Sequence, residues 1–562
     1  MAVRLAPEHA ARFERFAVVT DHPEASQAGA EILAAGGTAA DAAAAAMLAL
    51  GVASPASSGL GGGGFALYYR ASDRTVTFLD FRERAPAATT PALLDPPPAA
   101  TRGVDSTAPP ARRPAGMAVG VPGEPRGIEA LVRRFGALPL ARVVAPAVRL
   151  AEEGFTPGTY FAGMSQRFVG ALRADTLGRT WVPDGAEGIV AGRTLRNPAL
   201  AQTLRTLGAE GAAPFYEGAL AAQIVEATRA LGGVLTADDL RSYQVLDRPP
   251  LEGVRYGHRW VTAPPESAGG YTLLTSLGLL ERWLPQDARG RSEADVLHAM
   301  AESWPGAFLD RARYFSDPDF TPVPVAALLA PARIAARAAL YDPAHARPAR
   351  TYDLPLPSTP PGPVAPVAPG SGTSHLCVVD AVGNVASVTT TVNIPFGAGR
   401  SVAGFWLNDE LDDFTAPSPG GDATALPDGG HNHPAPGRRP VSTMVPTIVF
   451  SGDDPVLCIG GSGGTRIVTA VIQAAWRAIV LGTGAAEAVA LPRIHRAASP
   501  EALSAEPGPS ESVLADLRGR GHTVEAMRFG AMVQAIRIVR GPDGVWLDAA
   551  SDPRKGGRPA GL

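Results

Sequence analysis

The feature that most limits how this 562-residue chain can fold is a change of texture at Gly372-Thr373-Ser374. Upstream, Leu354-Pro355-Leu356-Pro357-Ser358-Thr359-Pro360-Pro361-Gly362-Pro363 continues through Pro366 and Pro369 to Gly370. Proline lacks an N–H and fixes φ, so this stretch joins neither a helix nor a sheet interior and reads as an exposed, semi-rigid loop. At Thr373 the text becomes Thr-Ser-His-Leu-Cys-Val-Val-Asp, whose β-branched and apolar residues predict a strand. Thr373 taken alone simply opens that strand. A hydroxyl residue directly after a dispensable loop has a second reading, because it can become a new N-terminus. A threonine with a free α-amine is a self-contained catalyst: the hydroxyl attacks and its own amine serves as base.

Composition narrows the field. Apolar residues make up 46% and charged residues 19%, which describes a globular protein with a large core. A net charge of −4 gives no pointer to nucleic acid or anionic membrane. Lys555 is the single lysine and arginine supplies the other cations, a bias that records a GC-rich bacterial genome. Cys377 and Cys458 lie in apolar strand-like runs and read as buried thiols. No apolar run long enough to span a membrane is present, and Met1–His9 lacks the apolar segment of a signal peptide. The expectation is a cytoplasmic protein, or a periplasmic or secreted one where a leader has been removed.

Helical text runs from Glu24 to Gly51, broken at Gly36-Gly37, with an alanine-rich second helix from about Ala39 to Leu50. The run Ser57-Ser58-Gly59-Leu60-Gly61-Gly62-Gly63-Gly64 precedes strands and has no Lys-Ser/Thr after it. A phosphate loop needs its helix after the glycines, so a nucleotide site is rejected in favour of close backbone packing. Residues 94–114 form a Pro-rich excursion, and 127–350 reads mainly as helices. After Thr373 strands are predicted at 375–380, 384–393, 402–407, 446–450 and 455–459. Helices follow at 465–481 and 485–491, then strands near 522–528, 533–539 and 545–549. This order predicts one layered α/β unit with sheets covered on both faces.

Set beside Gly36-Gly37-Thr38-Ala39-Ala40-Asp41-Ala42, Asp80-Phe81-Arg82-Glu83-Arg84-Ala85-Pro86, Val121-Pro122-Gly123-Glu124, Asn408-Asp409-Glu410-Leu411-Asp412-Asp413-Phe414, Arg439-Pro440-Val441-Ser442-Thr443-Met444, Gly461-Ser462-Gly463-Gly464 and Ser551-Asp552-Pro553-Arg554, the seam at Thr373 resembles that of the γ-glutamyltranspeptidase family. The family belongs to the N-terminal-nucleophile hydrolases. The resemblance implies a four-layer αββα sandwich, α/β (α+β) in class, as one structural domain. It implies self-cleavage at Gly372–Thr373 into a large subunit, 1–372, and a small catalytic subunit, 373–562, that stay associated. Thr373 would be the nucleophile, Thr391 the hydroxyl that activates it, and Gly463 and Gly464 the oxyanion donors. Arg82, Ser442 and Thr443 would hold the α-carboxylate of a γ-glutamyl donor, and Asn393, Glu410 and Asp413 its α-ammonium. No cofactor or metal is implied, and the partners are a γ-glutamyl amide such as glutathione and a water or amine acceptor. Taken singly, Thr391 in a three-threonine run reads as solvated β-surface, and Arg82 or Asp413 as surface charge.

His375 and His495 read as structural, and the pair His431 and His433 as surface histidines lacking a third metal ligand. The chain also departs from the family pattern. Gly460-Gly461-Ser462-Gly463-Gly464 lacks the usual proline, Ser374 replaces a threonine, and the lid segment 415–438 has no aromatic residue, with Thr424 near the place of a lid tyrosine. These leave open a related acylase acting on a glutaryl, cephalosporin or natural-product amide, and more remotely an unprocessed binding protein. The acids Glu410 and Asp413 oppose the glutaryl reading, since they would repel a group without the α-amine.

Overall fold

The strand announced by the texture change runs Gly372–Val379, buried along its whole length, and pairs antiparallel with Ala17–Thr20 on one side and Val385–Asn393 on the other. A strand buried on both faces carries apolar or internally satisfied side chains on each. Here Leu376 and Val378 pack with the alanine-rich helix, while Cys377 and Val379 pack toward a second sheet. The computed structural model describes residues 3–91, 114–285, 290–357, 372–415, 430–528, 530–542 and 544–562. The Pro-rich excursion and most of the lid segment, Thr424 included, lie outside these.

Eight strands form the first sheet, in the order Arg4–Leu5, Ala560–Gly561, Ala17–Thr20, Gly372–Val379, Val385–Asn393, Gly63–Arg70, Thr75–Phe81, Leu246–Arg248. Seven form the second, in the order Ala10–Phe13, Gly544–Ala550, Met532–Gly541, Asp454–Ser462, Thr447–Ser451, His258–Thr262, Leu251–Arg255. All these pairings are antiparallel. The sheets stack face to face, with Pro23–Ala34 and Ala39–Ala53 outside the first and Gly269–Trp283 and Arg466–Trp476 outside the second. This is the αββα sandwich. Each sheet takes strands from both sides of the Gly372–Thr373 bond, so the two parts of the chain share their cores.

Local chemistry accounts for the elements. Thr38 and Asp41 form a reciprocal capping box, and all fifteen residues of Ala39–Ala53 are buried, as a helix nearly free of charge requires. The glycine run is packing: a Cβ on Gly62 would lie 2.0 Å from the Thr391 carbonyl oxygen, on the strand that backs Thr373.

Three expectations change. The 127–350 region contains the strands Leu246–Arg248, Leu251–Arg255 and His258–Thr262; the first two are sheet edges with no fully buried residue, and the third is only five residues long, so none leaves a strong apolar pattern. The strand predicted over 402–407 is a tight hairpin, Ser401–Val402 with Phe405–Trp406, because Ala403 and Gly404 both adopt positive φ. The strand near 522–528 shortens to Val524–Ala526 and joins a separate three-stranded sheet with Ile494–His495 and Leu503–Ala505.

Candidate active site

Strand register places Thr373 directly opposite Thr391, with Thr389 opposite His375. The side chains of Thr373, His375 and Cys377 share one face because a strand alternates. Thr373 Oγ1 lies 3.1 Å from Thr391 Oγ1, and both residues are buried. Thr391 donates its hydroxyl proton to the Gly372 carbonyl oxygen at 2.9 Å and accepts the Asn393 backbone N–H at 2.9 Å. A hydroxyl has one proton, and this one is committed to Gly372, so the Thr373 hydroxyl donates to Thr391. The hydroxyl of Thr391 is thereby the hub of the seam. The solvated-surface reading of 389–391 fails: Thr389 bonds His375 Nδ1 at 2.8 Å, Thr390 faces away and donates to Glu124, and all three are buried.

Past Thr391 the strand is irregular, and Asn393 adopts φ 75°. Asparagine tolerates this left-handed conformation better than most residues. The bend aims its side chain at the Asp409 carbonyl, which accepts from Nδ2 at 3.1 Å.

A pocket opens over Thr373, lined by Arg82, Arg311, Thr391, Asn393, Glu410, Asp413, Ser442, Thr443, Gly464 and Thr465 among others. The sequence-predicted set therefore converges, apart from Gly463, which adjoins the lining. Arg82 is not free within it. Its guanidinium donates to Glu410 Oε1, to Asp413 Oδ2 at 2.7 Å and to the Pro440 carbonyl at 3.2 Å. Burial pushes the Glu410 carboxyl up to about 7, against the pull of the Arg82 cation and with help from the Asp413 carboxylate. Burial holds Glu83 well above the carboxylate range, and neighbouring Glu410 adds to it. Burial also works against the charge of Arg82, but the carboxylates of Glu410 and Asp413 outweigh it.

In the glycine turn, which lacks the proline, Gly463 and Gly464 sit at φ 135° and 64°, both disfavoured for residues with a Cβ. Thr443 donates to the Gly464 carbonyl at 3.1 Å, tying one wall of the pocket to the turn, and Ser442 Oγ accepts the Met444 N–H at 3.1 Å. Gly460 makes room for the opposite sheet, since a Cβ there would lie 2.2 Å from the His375 ring.

His375, pushed down to about 3 by burial, is a neutral packing group, and His495 likewise, bonded to Thr469 Oγ1 at 3.0 Å. His431 and His433 sit in a partly buried turn, where Arg438 donates to both of their carbonyls and to the His433 ring. A guanidinium in that place disfavours a second cation. Among the described residues, His298, Glu302 and His522 stand close enough to share a metal. Their donors are already engaged: His298 bonds His522 and the Asp342 carbonyl, each at 2.8 Å, and Glu302 is held by Arg496 and by Tyr352.

Sequence reasoning missed a charged floor beneath the seam. Lys555 Nζ donates to the Thr373 carbonyl at 2.7 Å and to Asp21 Oδ2 at 2.8 Å. Asp21 also accepts from Gln534 at 2.6 Å, from Ser462 at 3.3 Å and from the His375 N–H at 3.3 Å. Burial lowers the Lys555 ammonium from its ordinary range, with Asp21 opposing the shift. The signal was its singularity: one lysine in a chain that otherwise uses arginine.

A family model described as gamma-glutamyltranspeptidase matches residues 25–562. The chain belongs to the γ-glutamyltranspeptidase family. It is 34% identical to a glutathione hydrolase proenzyme of Escherichia coli strain K12, over 97% of this chain and 91% of that one. A glutathione hydrolase proenzyme of Bacillus subtilis strain 168 is 35% identical over 96% of this chain and 90% of its own. Among solved structures, a cephalosporin acylase from Bacillus halodurans superimposes with a TM-score of 0.80 at 26% identity, covering 100% of this chain and 98% of that chain. Family and fold agree: the sandwich is that of a threonine N-terminal-nucleophile hydrolase.

Proposed function

We propose that this γ-glutamyltranspeptidase cleaves its own Gly372–Thr373 bond and then hydrolyses or transfers the γ-glutamyl group of amides such as glutathione. The observation that carries the proposal is the hydrogen-bonded chain from Thr373 Oγ1 to Thr391 Oγ1 to the Gly372 carbonyl oxygen, beside a charged pocket that Thr373 and Thr391 help to line. In the uncut chain, Thr373 Oγ attacks the Gly372 carbonyl carbon while the Thr391 hydroxyl stabilises the oxygen that gains charge. The C–N bond breaks as the proton lost by the Thr373 hydroxyl passes to the departing nitrogen, which becomes the free α-amine. Water then hydrolyses the ester on Thr373, restoring its hydroxyl and releasing the C-terminal acid of the large subunit.

That amine then serves as base for the second reaction. Thr373 Oγ attacks the donor's γ-carbonyl and loses its proton to the amine. The amine passes the proton to the departing leaving group, and the γ-glutamyl ester is resolved by water or an acceptor amine. The Gly463 and Gly464 N–H groups are assigned to the oxyanion, Arg82, Ser442 and Thr443 to the α-carboxylate, and Asn393, Glu410 and Asp413 to the α-ammonium. These assignments follow the family resemblance, and they are supported by a lining that holds both guanidinium and carboxylate groups. Large subunit 1–372 and small subunit 373–562 remain together because both sheets span the cut.

Intact-mass and N-terminal analysis of aged protein tests this first. A fragment beginning at Thr373 is expected, absent in Thr373→Ala, followed by turnover of γ-glutamyl p-nitroanilide. A stable 57.8 kDa chain, or a processed Thr373→Ala variant, would sink the nucleophile assignment.

A further inference from the structure

The helix Pro305–Tyr314 carries three charged side chains, and two are fully neutralised. Asp310 is held by Arg333 at 2.7 Å and Arg337 at 2.9 Å, and Arg313 by both oxygens of Asp353, at 2.5 and 2.9 Å. Arg311 is the exception. It is 8% exposed and lines the pocket over Thr373, yet among the described residues no ion pair or side-chain hydrogen bond holds its guanidinium. Its Nε is buried without a partner. Burial pushes it down to about 10, with Asp413 pulling the other way and the Arg82 cation adding to the fall. An unpaired buried cation is costly in the ligand-free protein, and that cost is removed only when an anion arrives. Arg82, by contrast, already spends its fork on Glu410 and Asp413.

We propose that Arg311 is a second carboxylate-binding group of the donor pocket, taking the α-carboxylate that Arg82 alone, engaged by Glu410 and Asp413, meets with an occupied fork. The inference deepens the γ-glutamyl reading above and rests on it for the identity of the natural ligand. The two arginines share the carboxylate: Arg82 reaches it while also organising the acids that face the ammonium, and Arg311 brings a guanidinium with no acid partner among the described residues. A ligand without the α-amine keeps the Arg311 contact, whereas a ligand without the α-carboxylate loses it.

The test is calorimetric titration of L-glutamate, glutarate and 4-aminobutyrate into processed wild-type, Arg311→Met and Arg311→Lys proteins, beside turnover of γ-glutamyl p-nitroanilide. Arg311→Met is expected to weaken L-glutamate and glutarate roughly ten- to a hundredfold, the range of a hydrogen bond to a charged group, and to leave 4-aminobutyrate unchanged. Arg311→Lys is expected to restore part of the loss. The ligand-free Arg311→Met protein should melt no lower than wild type, because it sheds an uncompensated charge. Equal weakening of all three ligands, affinities within twofold of wild type, no carboxylate binding by wild type, or failure of Arg311→Met to fold would each overturn the proposal. A wild type that binds glutarate through Arg311 but splits no γ-glutamyl amide would refute the donor assignment and leave Arg311 standing.

Discussion

Replacing Thr391 with valine keeps the shape of the side chain and removes the hydroxyl on which the seam converges. Three contacts disappear: the donor at 2.9 Å to the Gly372 carbonyl oxygen, the acceptor at 2.9 Å for the Asn393 N–H, and the 3.1 Å acceptor for the Thr373 proton. Loss of an oxyanion donor typically costs a hundred- to a thousandfold in rate. The Gly372 bond is already made before attack, so only its strengthening as the oxygen gains charge accelerates cleavage. Going from a neutral to a charge-assisted hydrogen bond gains roughly 1–2 kcal/mol, or about five- to thirtyfold. Misdirection of the Thr373 proton adds to this, and the expected slowing of self-cleavage in Thr391→Val is on the order of a hundredfold. The assay follows disappearance of the intact chain by mass after rapid purification, with Thr391→Ser, which retains the hydroxyl, expected to stay within a few-fold of wild type. Cleavage of Thr391→Val within threefold of wild type, or equal slowing of both variants, would refute the hub role.

Lys555→Met leaves Asp21 charged in a buried site and is expected to cost about 3–5 kcal/mol in urea denaturation of the uncut Thr373→Ala background. Adding Asp21→Asn should recover part of that loss, and strict additivity in the double-mutant cycle would show the pair to be uncoupled. Gly460→Ala forces a methyl into the His375 ring, and a thermal melt lowered by roughly 1–3 kcal/mol equivalent is expected, against no change if the sheets can part without cost. Glu410 titrates at about 7 in the folded protein against an ordinary 4.5, so the folded state holds its proton more tightly. Stability from this group is full at or below about pH 4.5, declines by roughly 3 kcal/mol as pH rises to about 7, and is flat above. Glu410→Gln should flatten that slope in melts taken between pH 4.5 and 7, and an unchanged slope would place the titration elsewhere.

What the sequence determined by itself was local or motif-bound. The onset of the strand at Thr373 follows from proline ending and β-branched residues beginning, and the helix over Ala39–Ala53 from a capped alanine run; both are encoded within a few residues of one another. The hairpin at 401–406 and the strands between 246 and 262 escaped because positive φ at Ala403 and strands of three to five residues leave little mark on periodicity. Ordered motifs named Thr373, Thr391, Arg82, Glu410, Asp413 and the glycines, and the fold gathers them, yet which charge meets which was not legible. Arg82 lies 328 positions from Glu410, and Lys555 lies 534 from Asp21 and 182 from Thr373. Those pairings exist because two stacked sheets, each drawing strands from both parts of the chain, bring distant residues into one water-poor layer. In that layer a buried charge must find a partner or wait for one, and only the tertiary structure decides that Arg82 is paired, Lys555 is clamped and Arg311 is left facing the pocket.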